Sequence, residues 1–175
     1  MAIPLKPLIL ITKEEIHREV FRLAQEISID YHGKNPLLLG ILKGSFVFMA
    51  DLVRLLEIPV EIEFASLSSY GSAKVSSGKI RVVKGLRSPL EGRDVLVVED
   101  IVDTGLSISH LLGYLHKRKP ASVKLCALLD KPDRRKTIVP IDYLGITIPD
   151  RFVVGYGLDF DEKFRNLPDI CTVED

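Results

Sequence analysis

The sequence predicts an α/β fold, a mostly parallel twisted sheet flanked by helices, and three observations predict it. Three apolar runs of strand length, Pro36 to Leu42, Asp94 to Val98 and Val123 to Leu129, are nearly continuous, as strands covered on both faces must be. Helical apolar spacing follows the first two, in Ser45, Met49, Leu52, Val53 and Leu56 and again in Ile108, Leu111, Leu112 and Leu115. Strands thus alternate with helices in the middle of the chain, and in such sheets ligands bind beyond the carboxyl ends of the strands.

The chain has 175 residues, 46% of them hydrophobic, which is the usual size for one domain with a proper core. Lysine plus arginine (24) equals aspartate plus glutamate (24), so no overall positive field exists to hold a nucleic-acid backbone, and anionic small molecules need local sites. The stretch Leu37 to Leu56 approaches membrane-spanning length, but Lys43, Asp51 and Arg54 interrupt it at a depth where charges are costly. Met1 to Ile11 is broken by Pro4, Lys6 and Pro7, and no signal peptide is read there. Cys126 lies inside an apolar run, as a buried thiol does, and the pair Cys126 and Cys171 fits a reducing cytoplasm.

The elements follow in order. Thr12 and Glu15 form a capping box, after which Ile16, Val20, Leu23, Ala24 and Ile27 share one helical face. Strand Pro36 to Leu42 leads into the helix marked by Met49 and Leu52. Val60 to Leu67 alternates like a strand, whereas residues 68–79 are rich in serine, glycine and lysine and are read as a mobile loop before a returning strand, Ile80 to Lys84. Asp94 to Val98 is a buried strand, and Lys117, Arg118 and Lys119 suit the C-terminal end of the helix after it. Val123 to Leu129, Tyr143 to Ile148 and Phe152 to Leu158 supply further strands, with a polar, basic linker from Asp130 to Pro140. No internal repeat divides the chain, and residues 1–175 are taken as one domain.

Most of the chemical information sits in Val95-Leu96-Val97-Val98-Glu99-Asp100-Ile101-Val102-Asp103-Thr104-Gly105-Leu106-Ser107. Glu99 and Asp100, where a buried strand ends, can accept hydrogen bonds from vicinal ribose hydroxyls and help to hold a hard cation. Thr104 to Ser107 offers hydroxyls and backbone N–H groups at a helix start, where the dipole favours an anion. The bland alternative is a polar turn with Ser107 as its cap, but adjacent carboxylates repel and are a poor choice for stability alone. A Walker loop is excluded, because no Gly-Lys-Ser/Thr closes a glycine run. Leu42-Lys43-Gly44-Ser45, between strand and helix, could face a second anionic group with its amides and ammonium, although alone it reads as an ordinary turn.

The acidic segment resembles the phosphoribosyl pyrophosphate signature of phosphoribosyltransferases, and Glu-Asp rather than Asp-Asp is similar to the hypoxanthine-guanine branch. The resemblance implies the type I phosphoribosyltransferase fold, with a small hood built from the N-terminal segment and roughly residues 131–175. It implies that Glu99 and Asp100 bind the ribose hydroxyls and the magnesium shell, that Asp103 is the acid/base group facing purine N7, and that Thr104, Gly105, Leu106 and Ser107 hold the 5′-phosphate. Leu106 stands where some members carry lysine. Leu42 to Ser45 resembles the pyrophosphate loop, in which a non-proline cis peptide is typical, with Lys43 and Gly44 on pyrophosphate. Ser69-Tyr70 looks like the start of the closing lid, over residues 68–79.

Lys131 would meet the exocyclic oxygen of a 6-oxopurine. The run Pro149 to Asp159 resembles the purine-binding stretch, with Phe152 stacking on the base, Val153 on its edge and Asp159 near a second magnesium. Phe164-Arg165-Asn166-Leu167 resembles the downstream segment whose arginine, here Arg165, clamps pyrophosphate. The resemblance covers Leu42 to Leu167 and implies Mg2+ as cofactor, a homodimer or homotetramer, and purine salvage as function. Two rivals stand beside it: a xanthine-preferring transferase, and an RNA-binding regulator on the same fold that would use the basic cluster Arg134, Arg135 and Lys136. His17, His32, His110 and His116 make no metal-ligand spacing.

Overall fold

The computed structural model describes residues 7–69, 80–84, 86 and 88–173. Strands β1 (Pro7–Ile11), β2 (Leu37–Leu42), β3 (Glu61–Ser69), β4 (Ile80–Lys84), β5 (Asp94–Val102), β6 (Ser122–Asp130), β7 (Tyr143–Thr147), β8 (Val153–Val154) and β9 (Ile170–Val173) alternate with helices α1 (Lys13–Asp30), α2 (Phe46–Leu55) and α3 (Leu106–His116). The large sheet has the order β4-β3-β2-β5-β6-β7, in which β3, β2, β5, β6 and β7 are parallel and β4 is antiparallel to β3.

Burial on both faces explains the apolar runs. Leu37, Leu39 and Ile41 of β2 join Val95, Val97, Leu125 and Ala127 in a core closed by Ile108, Leu111 and Leu115 of α3. Leu38, Leu96, Val98, Cys126 and Leu128 face the other way, into a core closed by Ile16, Val20, Leu23, Ala24 and Ile27 of α1 and by Phe48, Met49 and Leu52 of α2. Period-two alternation on the strands sends successive side chains to opposite helical layers. The capping box starts α1 as expected, with Thr12 Oγ1 accepting from the Glu15 amide at 3.3 Å and the Thr12 amide donating to Glu15 Oε2 at 2.8 Å.

A second, three-stranded antiparallel sheet, β1-β9-β8, joins the chain ends. It pairs Leu8 with Thr172 and Val153 with Thr172, and its Ile170 and Val153 pack into the α1/α2 core. Of residues 131–175, the stretch Tyr143–Thr147 lies in the large sheet instead. The expected strand from Phe152 to Leu158 shrinks to two residues, because Gly155, Tyr156 and Gly157 have φ of 96°, 50° and 100° and cannot continue an extended chain. Expected to end at Val98, β5 runs four residues farther because β6 keeps pairing, Glu99 with Ala127 and Val102 with Asp130. Likewise β3 reaches Ser69, two residues into the segment expected to be a loop.

From β2 the chain crosses to β3 on one side, and β5 lies against β2 on the other. The loops that follow β2 and β5 therefore diverge, and a crevice opens at the carboxyl ends of these two strands.

Candidate active site

Two adjoining cavities, of about 220 and 310 Å³, occupy that crevice, and Ile101 and Asp103 line both. Glu99 and Asp100 are neighbours on β5, so their side chains point to opposite faces. Glu99 lines the smaller cavity with Thr104, Gly105 and Ser107, whereas Asp100 lines the larger with Lys43, Lys131 and Phe152. The two carboxyls nonetheless stay close where the cavities adjoin, near enough for Asp100 to act on Glu99. A larger, mostly apolar groove of about 900 Å³ lies between α1, α2 and Arg165 to Pro168, but none of the β5 acids reaches it.

Both acids are only 8% exposed, and among the described residues neither has a cationic side chain within 4 Å. The Ile101 amide donates to Asp100 Oδ1 at 2.8 Å and the Asp100 amide to Glu99 Oε1 at 3.3 Å. Burial, and then the charge of Asp100, push the Glu99 carboxyl well above the usual carboxylate range. Two buried, acceptor-rich carboxyls without a protein cation suit hydroxyl donors or a hard divalent ion. Magnesium fits this donor set, since it binds through one or two carboxylates and completes its shell with water and substrate oxygens. Asp159 lines the larger cavity too, but one of its oxygens forms an ion pair with Arg165 at 2.9 Å and the other accepts from the Glu162 amide at 2.8 Å.

The turn after β5 is braced from outside. Thr104 O accepts from the amides of Lys136 at 2.9 Å and Thr137 at 3.1 Å, and a Cβ on Gly105 would overlap the Thr137 carbonyl. Gly105, with φ 81°, begins α3, no side chain caps that helix, and the Leu106 amide donates to Thr104 Oγ1 at 3.4 Å. Ser107 is exposed beside it, so the first turn presents amides and a hydroxyl to the smaller cavity.

Opposite lies the loop after β2, whose Leu42–Lys43 peptide bond is cis, as the resemblance implies. Gly44 is a meeting point: a Cβ there would lie 2.6 Å from Asp100 Cγ, and a Cβ on Gly157 would overlap the Gly44 carbonyl. Arg165 Nη1 donates to Gly157 O at 2.8 Å. Lys43 Nζ pairs with Glu162 at 2.8 Å, and the Arg165 guanidinium reaches the same carboxylate at 3.4 Å. Lys43, Gly44 and Arg165, separated by more than a hundred positions, are thus brought onto one wall.

On the remaining wall Lys131 is buried, its amide donating to Val102 O at 3.0 Å. Phe152 is 51% exposed and meets Phe160 edge-on at 5.5 Å, leaving its ring open to the larger cavity, and Val153 is buried in β8. Asp103 Oδ1 is shut from solvent and accepts no hydrogen bond, with Arg134 Nε 3.4 Å away. Ser69 ends β3, and Tyr70 lies outside the described residues. Sequence reading missed Glu162 and Asp150, for which no local pattern exists, and read Arg134 only as part of a basic cluster. That cluster is not a free basic face: Arg134 pairs with Asp103 and Asp150, and Arg135 with Asp130.

An acidic strand end, a helix start without a side-chain cap and a cationic loop across from them meet at the switch point of the sheet. Residues 11–161 match the family described as phosphoribosyl transferase domain, and the chain belongs to that family. It is 46% identical over 166 residues to the hypoxanthine-guanine phosphoribosyltransferase of Bacillus subtilis, covering 95% of this chain and 92% of that one. It is also 45% identical over 160 residues to the bifunctional protein TilS/HprT of Listeria innocua, of which it spans a quarter of the length (25%). A hypoxanthine-guanine phosphoribosyltransferase crystal structure from Bacillus anthracis superposes with a TM-score of 0.91 at 44% identity, over 97% of this chain and 99% of that one.

Proposed function

We propose that the chain transfers the phosphoribosyl group of phosphoribosyl pyrophosphate to hypoxanthine or guanine, giving IMP or GMP and pyrophosphate in purine salvage. The observation that carries this reading is the shared wall of the two cavities, where Asp103 stands between the sugar-phosphate side and the side lined by Lys131 and Phe152. The smaller cavity seats the 5′-phosphate on the amides of Gly105 to Ser107, and Glu99 and Asp100 accept from the ribose hydroxyls. Lys43, the Gly44 backbone and Arg165 hold the pyrophosphate, while Phe152 stacks on the base, the Val153 backbone meets its edge and Lys131 donates to the 6-oxo group.

The bond from the anomeric carbon to the pyrophosphate oxygen breaks, the electron pair leaving with pyrophosphate, and a purine nitrogen bonds to that carbon from the opposite face. Asp103 takes or returns the N7 proton as charge develops on the ring. Glu99 and Asp100, with Asp159 toward a second ion, would hold magnesium, which would supply neutralisation of the leaving group. The role of lid, keeping water from the cationic sugar, is assigned to residues 68–79 with Ser69 and Tyr70, of which 70–79 lie outside the described residues. Small molecules are the partners, in the cytoplasm, and the chain assembles as a homodimer or homotetramer. Among the described residues no helix is long and apolar enough to cross a membrane.

The test is an assay with phosphoribosyl pyrophosphate and magnesium against hypoxanthine, guanine, xanthine, adenine and uracil, measuring pyrophosphate and nucleotide. Turnover with hypoxanthine or guanine is expected. Turnover with uracil alone, or none with any base, would reject the proposal.

A further inference from the structure

Asp103 has an unusual environment for a carboxylate. Its Oδ1 is sealed from solvent and accepts no hydrogen bond, yet the side chain as a whole is 39% exposed, so the other oxygen is the one presented to the cavities. A carboxylate oxygen deprived of water and of donors is unstable as an anion unless a positive charge lies close by. Among the described residues one cation comes within 4 Å of it, the Arg134 guanidinium, with Nε at 3.4 Å. Of the three other cations that line the larger cavity, Lys43 is engaged by Glu162 and Arg165 by Asp159 and Glu162, while Lys131 comes within 4 Å of no carboxylate among the described residues. From its far side Arg134 also approaches Asp150, Nη1 lying 3.8 Å away, two residues before the open Phe152 ring.

We propose that Arg134 is a positioning residue for Asp103: its guanidinium, lying between Asp103 and Asp150, keeps the Asp103 carboxyl turned so that its free oxygen faces the bound purine. The inference rests on Asp103 being the acid/base group of the transfer. Arg134 touches neither sugar nor pyrophosphate in that scheme. It closes a clamp from the end of β5, through the short 3-10 turn Pro132–Arg134, to the segment that carries the stacking ring. A flat two-sided cation suits that place better than a point charge.

The experiment is a double-mutant cycle in the transfer assay with hypoxanthine, using Arg134→Gln, Arg134→Lys, Asp103→Asn and the Asp103→Asn/Arg134→Gln pair. Arg134→Gln is expected to lower kcat about tenfold, a fraction of what a general acid/base group contributes, with the KM for phosphoribosyl pyrophosphate within about twofold of the parent. Arg134→Lys recovers part of the loss, because charge returns without the fork. In the Asp103→Asn background Arg134→Gln has no further effect, since the group it positions is gone. Losses that add in the double variant, or a kcat that Arg134→Gln leaves unchanged while Asp103→Asn depresses it, would overturn the positioning role. If Asp103→Asn itself leaves kcat unchanged, it is the acid/base reading of Asp103 that falls. Should Arg134→Gln fail to fold, Arg134→Lys alone decides: kcat and donor KM both at parental values refute the role.

Discussion

Gly44→Ala tests whether the two halves of the crevice are packed against one another. The added Cβ falls inside the Asp100 carboxylate, 2.6 Å from its Cγ, where real contacts essentially never come below 3.0 Å. Asp100 is 8% exposed and cannot swing into solvent, its Oδ1 accepts from the Ile101 amide, and Gly157 stands against the Gly44 carbonyl and blocks retreat of the loop. Overpacking costs about 1–3 kcal/mol and a lost hydrogen bond to a charged group about 1.5–3, so a loss of about 4 kcal/mol follows. For a chain of this size that is a fall in Tm of roughly 8–16 °C. The same displacement moves the pyrophosphate loop and Asp100 together, so the KM for phosphoribosyl pyrophosphate rises while purine KM changes little. Thermal unfolding with initial-rate kinetics reads both effects. A Tm within about 2 °C of the parent, with donor KM unchanged, would show that the loop and the acid are not in packing contact.

Three further outcomes are expected. Asp103→Asn depresses kcat about a hundredfold with little change in donor KM, and unaltered turnover removes Asp103 from the chemistry. Glu99 holds its proton more tightly folded than unfolded, so it weakens the ligand-free protein as pH climbs from about 4.5 toward its raised folded value; Glu99→Gln flattens the denaturation free energy over that window, and an unchanged slope refutes the burial argument. Thr12→Ala removes one arm of the α1 capping box and lowers stability by about 1 kcal/mol, a Tm shift of roughly 2–4 °C, and no shift means that the box contributes nothing.

Where a property depends on neighbours in the chain, the amino-acid order was enough. Leu37 to Leu42 and Val95 to Val98 had to be doubly covered strands because they lack a polar face, and Ile16 to Ile27 had to pack on one side because its apolar residues recur each turn. Glu99 to Ser107 pointed to a sugar-phosphate site as an expectation, because acids, hydroxyls and glycine occur there within nine consecutive positions. Three-dimensional packing settled what depends on distant partners. Strand β1 exists only by pairing with β9, more than 150 residues away, β5 outruns its apolar run because β6 continues beside it, and Phe152 stays open although the residues that follow it are buried. Gly44 is required by Asp100 and Gly157, and the surroundings of Asp103 are set by Arg134, contacts that no local spacing encodes. Backbone propensity and periodicity act over a few residues, whereas side-chain packing and close ion pairing act over a few ångströms, and only the folded chain brings remote residues within that range.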